Sequence, residues 1–473
     1  MKKILAASFV LLFILGSCTK DLTSLNNDPK NPTVVPSSTL FTSAQKNLAD
    51  ALASPSVNLN IFRLLTQQWT ETTYTDESNY DLNTRNIPRG WWNTFYRDIL
   101  KNFDEAKRLI PSDVADAAQA KNEIAIADIM EVFAYYHLVT TFGNIPYTEA
   151  LDYSKPRPKY DDAKTIYADL LKRLDADIAA LNISASSFGS ADLLYGGSVA
   201  AWKTFAYSFK LKMGILLADS DPATAKIVVE AAAPNVFAAS SSNASFAYLS
   251  SPPNTNPIWV SLVQSGRKDF VGANTLVDMM KGLSDPRMPL YFTVDANGGY
   301  SGGIYGASNN YATFSKPSDK VTAPDYPLTL LSYSETEFTL AEAVERGFNV
   351  PGTALQHYNN GIAASIKEWG GSDLDAATYL LQPSVNYLTA TGNYKQKIGI
   401  QKWIALYNRG YDSWTDWRRL GYPQLVAPAG ALSAIPVRFT YSVDEQNINT
   451  DNYNSAATAI GGDKVTTKLF FNK

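Results

Sequence analysis

The stretch 91–111, WWNTFYRDILKNFDEAKRLIP, decides the fold. Within it Trp92, Tyr96, Ile99, Phe103, Ala106 and Ile110 recur at steps of three and four, the spacing that lines one side of an α-helix, and Pro111 marks its end. After a short connection, 121–142, KNEIAIADIMEVFAYYHLVTTF, reads as a second helix that stops at Gly143. A pair of this kind cannot bury both apolar faces alone, so pairs stack side by side. Working outward, the same spacing predicts helices over 37–52, capped by Ser37 or Ser38, and over 59–69, 160–181 and 198–218. Pro222 opens another, with Asp221 as its cap. Late helices are expected over 334–347, 351–369, 376–381 and 395–407. The predicted class is mostly α, a superhelix of stacked helix pairs. No strict 34-residue period is present, so the repeats are divergent.

The pattern breaks in the middle. Residues 240–332 hold most of the long loops: SPPNTNP at 251–257, DANGGYSGGIYG at 295–306, and Pro324 to Pro327. Glycine, tyrosine and asparagine dominate, and a long loop rich in aromatics inside a folded body points to a functional, loop-rich lobe rather than to disorder.

The N-terminus reads as an export signal. Lys2 and Lys3 precede a twelve-residue apolar run, Ile4 to Leu15, too short for a membrane span of about 20 residues. Leu15-Gly16-Ser17-Cys18 then resembles the bacterial lipobox, in which small residues precede a cysteine that takes up lipid and becomes the first residue. Cys18 is the one cysteine in 473 residues, so the chain can form no internal disulfide. The expected organisation is a signal peptide over 1–17, a lipidated, proline-broken tether over 18–36, and a single helical domain over 37–473, its ligand lobe within 240–332. No stretch after the leader reads as a membrane span.

Removing residues 1–17 takes two of the 41 basic residues and none of the 45 acidic ones, so the formal balance moves from −4 to −6. No basic run appears along the chain, which argues against nucleic acid as a partner. Aromatic content is 12%, with 27 Tyr and 9 Trp. Such side chains offer an apolar face and a polar tip, suited to sugars, peptides or a protein surface, although most serve the core of a large helical body. Two segments combine flat rings with amides and charges. The first, 69–92, offers Tyr74, Asn79, Tyr80, Arg85 and Trp91; Trp91 lies about 100° from the stripe of Trp92 and Tyr96 and so is expected to face ligand. The second, 295–311, offers Asn297, Tyr300, Tyr305 and Tyr311.

Catalytic signatures are sparse. The two histidines, His137 and His357, are too few for a histidine-rich metal site, and His137 sits in an aromatic helix as a packed residue. No glycine-rich phosphate loop appears. Asp295-Ala-Asn297-Gly-Gly lacks the later bidentate glutamate of an EF-hand. No cofactor or metal is expected, and no catalytic residue is assigned. Paired carboxylates that hydrolyse a glycoside remain the alternative, and a structural surface lipoprotein without ligand is a third reading.

Several short pieces, in order, carry a resemblance: Asn27-Asp28-Pro29-Lys30-Asn31-Pro32-Thr33, Phe142-Gly143-Asn144-Ile145-Pro146-Tyr147, Ser284-Asp285-Pro286-Arg287, Ala341-Glu342-Ala343, Tyr358-Asn359-Asn360-Gly361-Ile362, Gln401-Lys402-Trp403, Trp417-Arg418-Arg419-Leu420-Gly421-Tyr422-Pro423 and Ile435-Pro436-Val437-Arg438-Phe439. Together they make the chain resemble the SusD/RagB-like nutrient-binding outer-membrane lipoproteins of Bacteroidota, closest to the starch-binding-associated SusD-like subgroup. The C-terminal Leu469-Phe470-Phe471 departs from the Trp-Trp pair expected there. The resemblance implies about four tetratricopeptide-like helix pairs and an irregular lobe with the ligand site. It also implies non-catalytic capture of oligosaccharide or peptide, and delivery to a SusC-like TonB-dependent outer-membrane barrel over which the lipoprotein sits at the cell surface. The motifs themselves read as structural: a helix stop at Gly143, a turn with an ion pair at Asp285–Arg287, and arginines at 418 and 419 that fork to carboxylates or to free helix carbonyls. Replacing Cys18 with Ser is expected to abolish palmitate labelling and release the protein from the membrane; a labelled C18S variant would refute the lipid assignment.

Overall fold

Many of the helices start where a capping side chain precedes an apolar stripe. The computed structural model describes residues 35–472; the leader, Cys18 and the tether up to residue 34 lie outside the described residues. Asp116 accepts from the backbone N–H groups of Ala118 and Gln119 and starts the helix Ala117–Phe142. Asp162, Ser198 and Asp221 do the same for Ala163–Ala180, Val199–Leu216 and Pro222–Ala232. Ser332, Thr353, Ser372 and Asn393 cap Tyr333–Glu345, Ala354–Glu368, Asp373–Leu381 and Tyr394–Ala405. Each such cap contributes about 1 kcal/mol. Consecutive helices pack in pairs, among them Ala117–Phe142 with Ala163–Ala180, Val199–Leu216 with Pro222–Ala232, and Tyr333–Glu345 with Ala354–Glu368. The first described helix, Ser37–Ala53, packs on Lys101–Asp113. The architecture is the mostly α, tetratricopeptide-like one expected.

Four expectations need correction. The helix predicted over 59–69 is one turn, Phe62–Leu65. Gln67 then takes a left-handed φ of 54°, and Trp69–Glu71 is a strand. Tertiary hydrogen bonds override local propensity here: the Gln68 amide donates to Leu406 O at 3.0 Å and the Trp69 indole to the Tyr407 hydroxyl at 3.0 Å. Second, the stripe from Trp92 to Ile110 is not one regular helix. Ile87–Asn93 and Lys101–Asp113 are α-helical, but Thr94–Leu100 between them is a π-helix. A π turn holds one residue more than an α turn. Positions before it rotate by about one place, so Phe95 and Trp91 stand where the regular spacing puts Tyr96 and Trp92. Third, the helix Gly410–Leu420, which carries Trp417-Arg418-Arg419, was not foreseen. Fourth, Ala117–Phe142 is long and apolar enough, by length and composition, to cross a membrane. Its sides are buried among other helices along most of its length, so it serves as the central core helix.

The core around that helix is aromatic. Phe62 packs against Trp91, Tyr411, Trp414 and Phe439 with ring centroids 4.9 to 5.1 Å apart. His137 is buried in the same cluster, its Nδ1 2.7 Å from Phe133 O, and burial lowers its pKa to about 3, so the ring is neutral. Gly143, at φ 88°, ends the helix as expected. The free carbonyls beyond are taken by arginines: Arg418 Nη1 donates to Thr140 O at 2.6 Å and Arg438 Nη2 to Phe142 O at 3.0 Å. Arg418 also lies over Phe471, so the C-terminal aromatic is fastened from below.

Ion pairs link the remaining helices. Lys212 contacts Glu335 at 2.7 Å and also Asp412. Arg409 reaches the same two acids at 2.6 and 2.7 Å. Arg419 pairs with Glu342 and, at 2.8 Å, with Asp416, which Lys402 reaches at 2.7 Å. Arg346 joins Glu342 to Asp219 at 2.7 and 2.9 Å. Asp285 and Arg287 form a fully buried pair at 2.6 Å, the turn and ion pair read from the sequence. Removing one partner of a buried pair strands the other charge, at a cost of about 3–5 kcal/mol. Arg419→Ala is therefore expected to lose that much stability in urea unfolding; a loss below about 1 kcal/mol would show that the network is not what holds these helices.

Candidate ligand-binding site

Two short strands bring the aromatic segments together. Trp69–Glu71 pairs antiparallel with Phe270–Gly272, in the register Trp69 to Gly272 and Glu71 to Phe270. The loop 295–311 hangs from the second strand through Gly303 N to Gly272 O at 2.9 Å. Gly302 is required at this join, because a Cβ there would stand 2.4 Å from Asn274 N. The loop 72–86 leaves the first strand and meets 303–311 directly. Asn309 N donates to Thr72 O at 2.8 Å, and the buried Asn309 amide donates to Glu71 O at 3.1 Å. The Asn79 amide donates to Thr75 O and to Gly306 O, both at 2.8 Å. A third segment, missed in the sequence, closes the cluster: Leu432 N donates to Asn79 O at 2.9 Å and Gln67 Nε2 to Val426 O at 2.7 Å.

The structure thus joins the two sequence segments but reassigns several of their residues. Trp91 is fully buried, with Phe62, Phe95 and Tyr411 at 4.9, 4.5 and 5.8 Å; the π turn described above rotates it into the core. Tyr305 is buried and its hydroxyl donates to Leu64 O at 2.7 Å. Tyr80, also buried, takes a left-handed φ of 68° and packs against Tyr305 at 6.4 Å. Trp91, Tyr80 and Tyr305 are thus packed inside, not displayed as the sequence suggested, and Asn79 joins the loops. Outward-facing residues remain: Tyr74 is 74% exposed, Asn297 and Asn310 are exposed, and Tyr300 and Tyr311 are half-buried. Lys268 and Lys316, which no sequence signal singled out, lie over the Tyr311 ring at 5.9 and 5.3 Å. Asp295 closes its own turn, accepting from Asn297 N, Gly299 N and the Ser301 hydroxyl at 2.8 to 3.0 Å.

Beside Tyr74 lies a cleft of about 90 Å³ lined by Glu71, Glu77, Arg85, Arg267 and Asp269. Arg85 Nε is 2.5 Å from Glu77 Oε1, and Ser78 N donates to Glu71 Oε2 at 2.9 Å. Burial, and then a hydrogen bond with Glu77, raises the Glu71 pKa to about 9. A larger cleft of about 400 Å³ lies elsewhere, lined by Met279, Tyr358, Thr389 and Lys397. Two of its polar groups are engaged, Tyr358 with Val385 O and Lys397 with Tyr387 O, and Tyr358 is buried, so this ring gives a sugar no open face.

A family model described as SusD-like, starch-binding associating with outer membrane, matches residues 29–442. The chain belongs to this SusD-like family. Solved structures agree. A chitin-binding protein superposes with a TM-score of 0.81 at 26% identity, covering 92% of this chain and 99% of the other. A chitin-binding SusD homologue from Flavobacterium johnsoniae gives 0.80 at 23% identity over 92% and 98%, and a SusD homologue from Bacteroides uniformis gives 0.79 at 25% over 92% and 99%. Among curated proteins none matches.

Glu71 yields a pH test. Folded, it keeps a proton that the unfolded chain releases above about pH 4.3. The folded state therefore binds more protons, and this residue makes stability fall as pH rises from about 4.3 toward about 9. Glu71→Gln should remove that slope, so its urea midpoint gains on the parent between about pH 5 and about pH 8.5. A constant offset across that range would show that Glu71 is not protonated in the fold.

Proposed function

We propose that this SusD-like protein is a non-catalytic, surface-exposed binding protein of the outer membrane, anchored through lipid on Cys18. It captures oligosaccharide and delivers it to a SusC-like TonB-dependent barrel. The observation that carries the reading is the loop cluster built on the 69–71 and 270–272 ladder. It leaves Tyr74, Asn297 and Asn310 exposed and Tyr311 partly exposed on an anchored frame. Flat rings take the C–H faces of sugars, and planar amides take pairs of hydroxyls. The named ligands of related structures, chitin in two cases, favour a saccharide over a peptide. The description of the family, starch-binding at the outer membrane, supports the location.

The paired carboxylates that lie in this site do not fit a glycosidase. In such enzymes the two carboxylates flank the scissile bond, whereas Glu71 and Glu77 are both buried and are held by Ser78 N and by Arg85. Calorimetry and a reducing-end assay on a panel of chitin and starch oligosaccharides test the proposal. The expected result is binding without product, weakened about tenfold or more by Tyr74→Ala with Tyr311→Ala, each ring contributing about 1 kcal/mol. New reducing ends would overturn the non-catalytic reading, and unchanged affinity in the double variant would overturn the placement.

A further inference from the structure

Lys268 and Lys316 are far apart in sequence and meet over one ring. Tyr311 is half-buried, and the two ammonium groups stand 5.9 and 5.3 Å from its centroid. Cations over an aromatic face are attracted to it, which restrains both side chains. The backbone holds them as well: Thr72 Oγ1 donates to Lys268 O at 2.6 Å, and Lys316 N donates to the Thr293 hydroxyl at 3.1 Å. Neither ammonium has a carboxylate within ion-pair distance among the described residues. Several neighbouring charges are paired. Arg267 holds Asp269 at 2.6 Å, Arg85 holds Glu77 at 2.5 Å and stands 4.0 Å from Asp76, and the Asp295 carboxylate is filled by its own loop. The chain as a whole carries a net charge of −4. Other lysines of the described surface also lack a carboxylate partner; what sets Lys268 and Lys316 apart is that both converge on one ring.

We infer that the Lys268–Tyr311–Lys316 cluster recognises an anionic substituent on the captured saccharide, a uronate carboxylate or a sulfate ester, with the Tyr311 ring holding the two lysines together. This inference rests on the oligosaccharide-binding reading and specifies its ligand class. Two ammonium groups gathered over one ring suit a charged substituent, because their N–H donors converge on its acidic oxygens. A neutral glycan leaves both cations without a partner and gains nothing from their convergence.

Calorimetry of the full chain against oligogalacturonate, a chondroitin sulfate oligosaccharide and a chitin oligosaccharide tests this. The expected result is preferential binding of one acidic ligand, the carboxylated or the sulfated one identifying the group read. Lys268→Ala with Lys316→Ala should weaken that binding about tenfold, Lys268→Arg with Lys316→Arg should retain most of it, and raising salt from about 50 to about 300 mM should weaken the parent far more than the alanine variant. Chitin binding unaffected by the alanine pair, with neither acidic ligand bound, would overturn the inference and leave the saccharide reading standing. Failure of all three ligands to bind would overturn both. Acidic binding insensitive to the alanine pair would overturn the assignment to these lysines. The melting temperature of each variant confirms that only the surface has changed.

Discussion

Asp412 and Asp416 lie one turn apart on the helix Gly410–Leu420, and Glu335 and Glu342 lie two turns apart on Tyr333–Glu345. Between these four acids sit Lys212, Arg409, Lys402 and Arg419, so that helices from distant parts of the sequence meet through alternating charges. Apolar faces alone would let these helices slide past one another at small cost. Buried charges do not, because a displaced arginine leaves an acid uncompensated. The net gain from such a network over an apolar one is small, but one packing satisfies every member. The aromatic core, the loop-bearing strands and the C-terminal segment all take their positions from that packing.

Arginines extend the same constraint to helix ends. Arg418 and Arg438 take the last carbonyls of Ala117–Phe142, and Arg63 does the same for Ser37–Ala53, donating to Ala53 O and Ser54 O at 2.9 Å. Helix C-termini carry partial negative charge, and a planar guanidinium satisfies two carbonyls at once. Arg63 also donates to Asn408 at 2.7 Å and lies over Trp69 at 5.1 Å. It therefore connects the first described helix to the strand from which the first ligand loop departs. His357 plays a lesser part of the same kind: burial alone would lower its pKa, but its hydrogen bonds to Glu337 and Pro351 O raise it, so it acts as a cation between two acceptors.

Much of this was legible in the sequence because caps and helical spacing are local. Asp221 with Pro222, Gly143 as a stop, the Asp285–Arg287 turn and the structural use of Arg418 and Arg419 all followed from residue chemistry. The two aromatic segments were also found, although nothing in either showed that they touch. Individual ring directions were not legible. A step of 100° per residue places Trp91 outward, and the π-helix at Thr94–Leu100 breaks that step without any marker in the sequence. Tyr80 and Tyr305 sit in loops, which have no period from which a facing can be projected. Lys268 and Lys316 are unremarkable in sequence, since what distinguishes them is their convergence on Tyr311.

The clasps of the ligand loops are mostly made by backbone atoms and by a few buried amides: Gly303 N, Asn309 N, Thr72 O and Leu432 N, with the side chains of Asn79 and Asn309. Tyr74 and Asn310 take no part in this fastening. Display is thereby separated from support. Exchanging the displayed groups would leave the hydrogen bonds that fix the loops untouched, so surface chemistry and interior fold are separable in this frame.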